Sequence, residues 1–147
     1  MQKLSYSTNS VPGGTETSKD RLVFRAKDPI SSLTHFIGCL MAIVATPLLL
    51  IHGAFAGAPL RALVSMGVFM LSMILLYGAS ASYHAFNLDA VRNHRLKCLD
   101  HMSIFVLIAG SYTPVCLIAI PGKAGTRLLI AVWIVAALGM LFKFFWV

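Results

Sequence analysis

The stretch that decides the fold is PISSLTHFIGCLMAIVATPLLLIHGAFAGAPL, residues 29–60, where 32 consecutive positions carry no Asp, Glu, Lys or Arg. A helix needs about 20 apolar residues to cross a bilayer, so this stretch has room for one crossing and the turn that follows it. Two further uncharged gaps come after it, 27 residues between Arg61 and Asp89 and 22 between Asp100 and Lys123. Across all 147 residues the chain is 58% hydrophobic and only 12% charged. A soluble domain carries about 25% charged residues, so an ordinary cytosolic globule, a coiled coil and a disordered protein are all excluded.

The expected class is therefore all-α: a polytopic integral membrane helical bundle. Four spans are expected at about residues 30–55, 62–84, 99–120 and 128–147, with Pro47 and Pro114 as kink points in the first and third. Residues 1–27, rich in Ser and Thr with a Pro-Gly-Gly at 12–14, cannot bury a core and read as a flexible cytoplasmic tail, followed by a transmembrane domain over 28–147. No apolar region follows the start closely enough for a cleavable signal peptide, so the first span reads as an uncleaved anchor.

The net charge of +7 is explained by where the basic residues stand. Lys3, Lys19, Arg21, Arg25 and Lys27 precede the first span, and Arg92, Arg95 and Lys97 share one connection. With the N-terminus in the cytoplasm these eight lie inside, against Arg61, Lys123 and Arg127 outside, which is the favoured orientation for a cell-membrane protein. Lys143 snorkels toward the inner surface. Membrane lipids are the expected partners; no basic helix or aromatic RNA motif points to nucleic acid. Cys39, Cys98 and Cys116 are scattered and odd in number, so they read as small packing residues rather than disulfides or a metal knuckle. Trp133 and Trp146 read as lipid or interfacial contacts.

That orientation gathers polar residues into one layer. Ser31, Ser32, Thr34 and His35 open the first span, Ser80, Ser82, Tyr83 and His84 close the second, and Asp100, His101 and Ser103 open the third. Ser80 and His84 are four apart and share a helix face; Ser31 and His35 repeat that spacing. An acid within a span is costly unless paired or hydrated, which singles out Asp100. A His and an Asp facing one another across helices suit a divalent metal and its activated water, and catalytic zinc takes three protein ligands plus that water. The plainer alternatives stay open. Such hydroxyls and imidazoles also join helices at about 0.6 kcal/mol per hydrogen bond, and Asp100 also suits the positive end of a helix.

Three segments carry a resemblance. Asp28-Pro-Ile-Ser-Ser-Leu-Thr-His35-Phe-Ile-Gly38 resembles the first signature of the hemolysin III family, Tyr77-Gly-Ala-Ser80-Ala-Ser-Tyr-His84 its second, and Leu99-Asp100-His101 running on to Pro114 its third. That family is grouped with the adiponectin and progestin receptors and the alkaline ceramidases, mostly seven-span proteins, and the similarity covers residues 28 to about 120 in order. The first signature's acid, typically Glu, is Asp28 here.

The resemblance implies zinc-dependent hydrolysis of a lipid-like amide or ester. It makes His84 a zinc ligand and places Ser80 and Asp100 at the zinc-bound water. Ser32 and His35 are carried as motif residues. In the family a His-x-x-x-His pair in the last span completes the metal site. No His follows His101 here, so the expectation is a truncated form with an incomplete site. The rival expectations are a membrane-damaging cytolysin and a non-catalytic lipid-binding receptor or accessory subunit. Four uncharged spans fit poorly with a pore former released into water.

Overall fold

The computed structural model describes residues 26–120 and 122–146, so the tail expected over residues 1–27 lies almost wholly outside the described residues. Helix α1 spans Pro29–Phe55. Its start is set chemically: the Asp28 carboxylate accepts from the Ser31 backbone amide at 3.3 Å, and Pro29, which has no amide hydrogen to leave unpaired, takes the first turn. The helix continues through Pro47 and ends at Ala56–Gly57, where Gly57 adopts φ +73°, open to glycine without cost. Helix α2 spans Leu60–Ala85 behind Pro59.

Helix α3 spans Ala90–Pro114, so it begins well before the apolar span near residue 99. Asp89 accepts from the Arg92 amide at 2.8 Å, and the Asn93 side chain clamps Leu88 through both its amide N–H and its carbonyl. The first turns of α3 are thus helical while carrying Arg92, Arg95 and Lys97, because capping starts a helix and apolarity only marks the part inside lipid. Pro114 cannot donate to the preceding turn, and the chain continues as a π-helical turn over Val115–Ala119, closed by the Ile120 amide on the Val115 carbonyl at 3.1 Å. Helix α4 spans Gly122–Phe145, also starting ahead of the apolar span expected from residue 128.

Among the described residues the helices form an open row in chain order. α1 packs on α2, α2 on α3 and α3 on α4; the π turn touches α2, α3 and α4, whereas α1 meets neither α3 nor α4 and α2 does not meet α4. The seams are built from small residues. Ala42, Ser65, Ser72, Ala79, Ala81, Ser103, Ala109 and Ala136 are buried, while Leu48, Leu71 and Phe145 point outward at 64%, 62% and 75% exposure.

That is the arrangement a bilayer favours, since lipid chains are as apolar as Leu and close backbone approach is what remains to hold helices together. Four of the five buried hydroxyls cost little because they return to their own helix: Ser65 to the Ala62 carbonyl at 2.8 Å, Ser72 to Phe69 at 2.6 Å, Ser103 to Asp100 at 2.6 Å and Thr113 to Ala109 at 2.8 Å. All four helices are long and apolar enough to cross a membrane. The chain is a multi-pass, all-α membrane protein.

Candidate functional site

One end of the row, where α1 and α3 begin and α2 and α4 finish, collects the described carboxylates and His35, His84, His94 and His101; it is called the Asp28 end below. The α1–α2 seam there is tied by backbone first: the Asp28 amide donates to the His84 carbonyl at 3.0 Å. This fixes the start of α1 against the last turn of α2. Asp28 then serves two partners. The Ser31 hydroxyl donates to its Oδ2 at 2.6 Å, and the His84 Nδ1 stands 3.7 Å from that same oxygen. The latter is beyond hydrogen-bond reach and acts as a charge contact when the imidazole is protonated. Donation by the Ser31 hydroxyl and amide holds the Asp28 carboxyl below its ordinary pKa, with the His84 charge adding a smaller push the same way.

A second imidazole lies beside the first. His35 and His84 ring centroids are 5.9 Å apart in an edge-on arrangement, and Tyr77 lies 6.0 Å from His35. The His35 Nδ1 is buried with no hydrogen-bond partner among the described residues. Leaving such an atom unpaired costs about 1–3 kcal/mol, so the position is one a ligand or water would stabilise. Ser32 reaches across the seam to the Ala81 carbonyl at 3.4 Å, and a cavity of about 290 Å³ opens there between Ser32, Phe36, Ala85 and Phe86. On the outer side Tyr83 packs edge-on against His84 at 5.1 Å, with the Lys27 ammonium 3.8 Å over its ring.

The other expected residues stand differently. Ser80 is buried at 5% exposure, one turn before His84, and its hydroxyl has no hydrogen bond among the described residues. Asp100 stands about 15 Å along α3 from Ala90 at the helical rise. Its side chain is 14% exposed, and among the described residues its only charge contact is the adjacent His101 Nδ1 at 4.0 Å. That nitrogen is already committed to the Lys97 carbonyl at 2.8 Å, and a carbonyl accepts only, so Nδ1 carries the proton. No hydrogen bond or ion pair joins Asp100 to Ser80 or His84 among the described residues.

The structure therefore brings Asp28, Ser31, Ser32, His35 and His84 together and leaves the half-buried Asp100 and the buried Ser80 without strong partners among the described residues. Sequence reasoning missed Asp28 as the carboxylate facing His84, and Tyr77 and Tyr83 as its aromatic surround. The Asp-Pro-x-Ser helix start was a signal for the cap, but nothing local signalled the contact with α2.

The resemblance implies zinc, and the described donors fall short of it. No group of three or more His, Cys, Asp and Glu side chains converges among the described residues, whereas zinc needs three protein ligands even at an open catalytic site. What is present is two imidazoles and one carboxylate, the latter engaged by Ser31.

Comparison with known proteins follows the same residues. The haemolysin-III related family pattern matches residues 24–147. "Hemolysin-3" of Bacillus cereus is 36% identical over 133 residues, covering 90% of this chain and 60% of that protein. The "Hemolysin-3 homolog" of Bacillus subtilis (strain 168) is 39% identical over 126 residues, covering 85% of this chain and 58% of its own length. The chain thus spans about three fifths of the length of these relatives. No solved structure matches it. Four apolar helices in order, the signature residues at the Asp28 end and a family match over nearly all of the described chain make this a member of the haemolysin-III related family.

Proposed function

We propose that the polar layer at the Asp28 end receives the amide or ester group of a lipid-like substrate and serves its hydrolysis, with the N-terminus of the chain in the cytoplasm of a cell membrane. The observation that carries the reading is the unpartnered, buried His35 Nδ1 beside His84. Within an apolar span, polar groups normally satisfy each other. Here one imidazole nitrogen, the Ser80 hydroxyl and the Asp100 carboxylate have no hydrogen bond within the described chain.

In this reading Asp100 takes a proton from the attacking water, Ser80 orients that water and His84 polarises the carbonyl group. Collapse of the tetrahedral species releases a carboxylate and an amine or alcohol, with the proton from Asp100 going to the leaving group. Zinc, which the resemblance implies, requires donors beyond the described set. The orientation is supported by Arg92, Arg95 and Lys97 in the first turns of α3 and by the five basic residues that precede α1 in the sequence.

The test is hydrolysis of a fluorogenic lipid amide and a lipid ester by protein purified from native membranes, comparing wild type with Asp100→Asn. General-base loss is expected to lower turnover by about 10²–10⁴-fold while lipid binding survives. Equal turnover in the two would refute the assignment. The second reading is a lipid-binding subunit without turnover. It predicts saturable lipid binding and no product from wild type. The relatives' printed names bring cytolysis into the same assay: haemoglobin release unaffected by Asp100→Asn would favour it.

A further inference from the structure

The end of the row opposite Asp28 carries its own site. A cavity of about 430 Å³ is lined there by Arg61 from the first turn of α2, by Cys116, Leu117 and Ile120 around the π turn, and by Lys123 and Arg127 from the start of α4. Its origin is the π turn. α2 and α4 do not touch, and Val115–Ala119 sits between them and touches both, so it forms the floor of a gap with a helix on each side. Gly125 presses α4 against that floor: a Cβ at this position would meet the carbonyl oxygens of Cys116 and Ile120.

Three cations converge on the gap. Lys123 and Arg127 are four residues apart and share one face of α4, and Arg61 approaches from α2. None of the three forms an ion pair among the described residues. Every described carboxylate, Asp28, Asp89 and Asp100, belongs to the opposite half of the row. Helix dipoles do not offset these charges. α2 and α4 begin here and α1 and α3 finish here, so their end charges nearly cancel and the side chains supply the net positive field. A helix start favours acids, yet neither α2 nor α4 has one in its first turn. Leu117 and Ile120 line the same cavity, so the cations border an apolar wall.

We propose that this cavity binds the phosphodiester headgroup of an anionic phospholipid, with Arg61, Lys123 and Arg127 on the phosphate and Leu117 and Ile120 against the start of the acyl chains. Guanidinium groups match phosphate oxygens in forked geometry and the ammonium adds a point charge. A free phosphate ion would use the same cations but not the apolar wall. The site stands apart from the polar layer at the Asp28 end and does not depend on its function.

The experiment is native mass spectrometry of the full chain in detergent, titrated separately with phosphatidylglycerol, phosphatidylcholine and inorganic phosphate. Wild type is expected to retain phosphatidylglycerol in preference to phosphatidylcholine. Each of Arg61→Gln, Lys123→Gln and Arg127→Gln is expected to weaken that retention about fivefold. Arg61→Lys, which keeps the charge, should lose less than Arg61→Gln, and Arg92→Gln at the far end should lose nothing at this site. Far-ultraviolet circular dichroism of each variant separates lost binding from lost fold. Retention by the triple variant equal to wild type, or equal retention of the two lipids, overturns the proposal. Binding of inorganic phosphate as tight as that of phosphatidylglycerol overturns the lipid assignment.

Discussion

Replacing Gly125 by Ala tests the contact that seats α4 on the rest of the row. The added methyl would run into the carbonyl oxygens of Cys116 and Ile120 and come within 3.2 Å of the Cys116 carbonyl carbon. All of these are backbone atoms, which cannot rotate aside as a side-chain tip can, so α4 must withdraw from the π turn. Overpacking of this kind costs about 1–3 kcal/mol, and fixed obstacles place it toward the upper end. Gly67→Ala is the internal control. Its methyl finds only Leu50 Cδ1 at 3.9 Å, an ordinary contact, and it gains up to about 1 kcal/mol of helix propensity. The expected outcome is opposite signs. A loss near 3 kcal/mol for Gly125→Ala corresponds to roughly a hundredfold shift in the folded population. Unfolding in mixed micelles with rising SDS, followed by Trp fluorescence and helical circular dichroism, reads both variants. Coincident midpoints for the two would refute the close approach of α4 and the π turn.

Two further perturbations probe the seams. Trp133→Phe keeps a ring between α3 and α4 but removes the indole N–H that donates to the Thr113 hydroxyl at 3.2 Å; an interhelical bond of this kind contributes about 0.6 kcal/mol, read by the same SDS midpoint, and a loss above about 2 kcal/mol would mean that packing, not the bond, was removed. Ser31→Ala removes the stronger donor to Asp28, so the carboxyl is expected to titrate closer to its ordinary value in a carbon-13 NMR titration. Because the carboxyl is depressed in the folded state, its contribution is full above the ordinary carboxylate pKa and is lost as pH falls through the lowered value. The acid limb of wild-type stability should therefore lie at lower pH than that of the variant.

Much of the architecture was legible because lipid demands so little of a sequence. The uncharged gaps marked spans. What apolarity conceals is direction. α4 is apolar on every side, so its sequence does not say that Ala136 is buried and Leu138 exposed, and the open-row arrangement was not readable from hydropathy. Helix starts outside lipid follow capping, which is why Asp89 set the beginning of α3 ahead of its apolar part. Pro114 announced a disturbance but not its form; a kink and a π turn satisfy the same missing donor.

At the site, helical spacing alone puts Ser80 one turn before His84 on α2, whereas the approach of Asp28 to His84 depends on how the turn after α1 sets the register of two helices. The three-ligand zinc set came only from resemblance, and the described donors do not supply it.

The open row also has a consequence for how the protein is made. Among the described residues every interhelical contact joins helices adjacent in sequence, counting the π turn as the end of α3. Each of α2, α3 and α4 therefore meets a partner already inserted as it leaves the ribosome. Contacts between sequence neighbours carry small loop-closure costs and form quickly. Assembly can proceed stepwise in the order of synthesis, and as α4 docks its Gly125 must come close to the carbonyls of Cys116 and Ile120 in the π turn already in place.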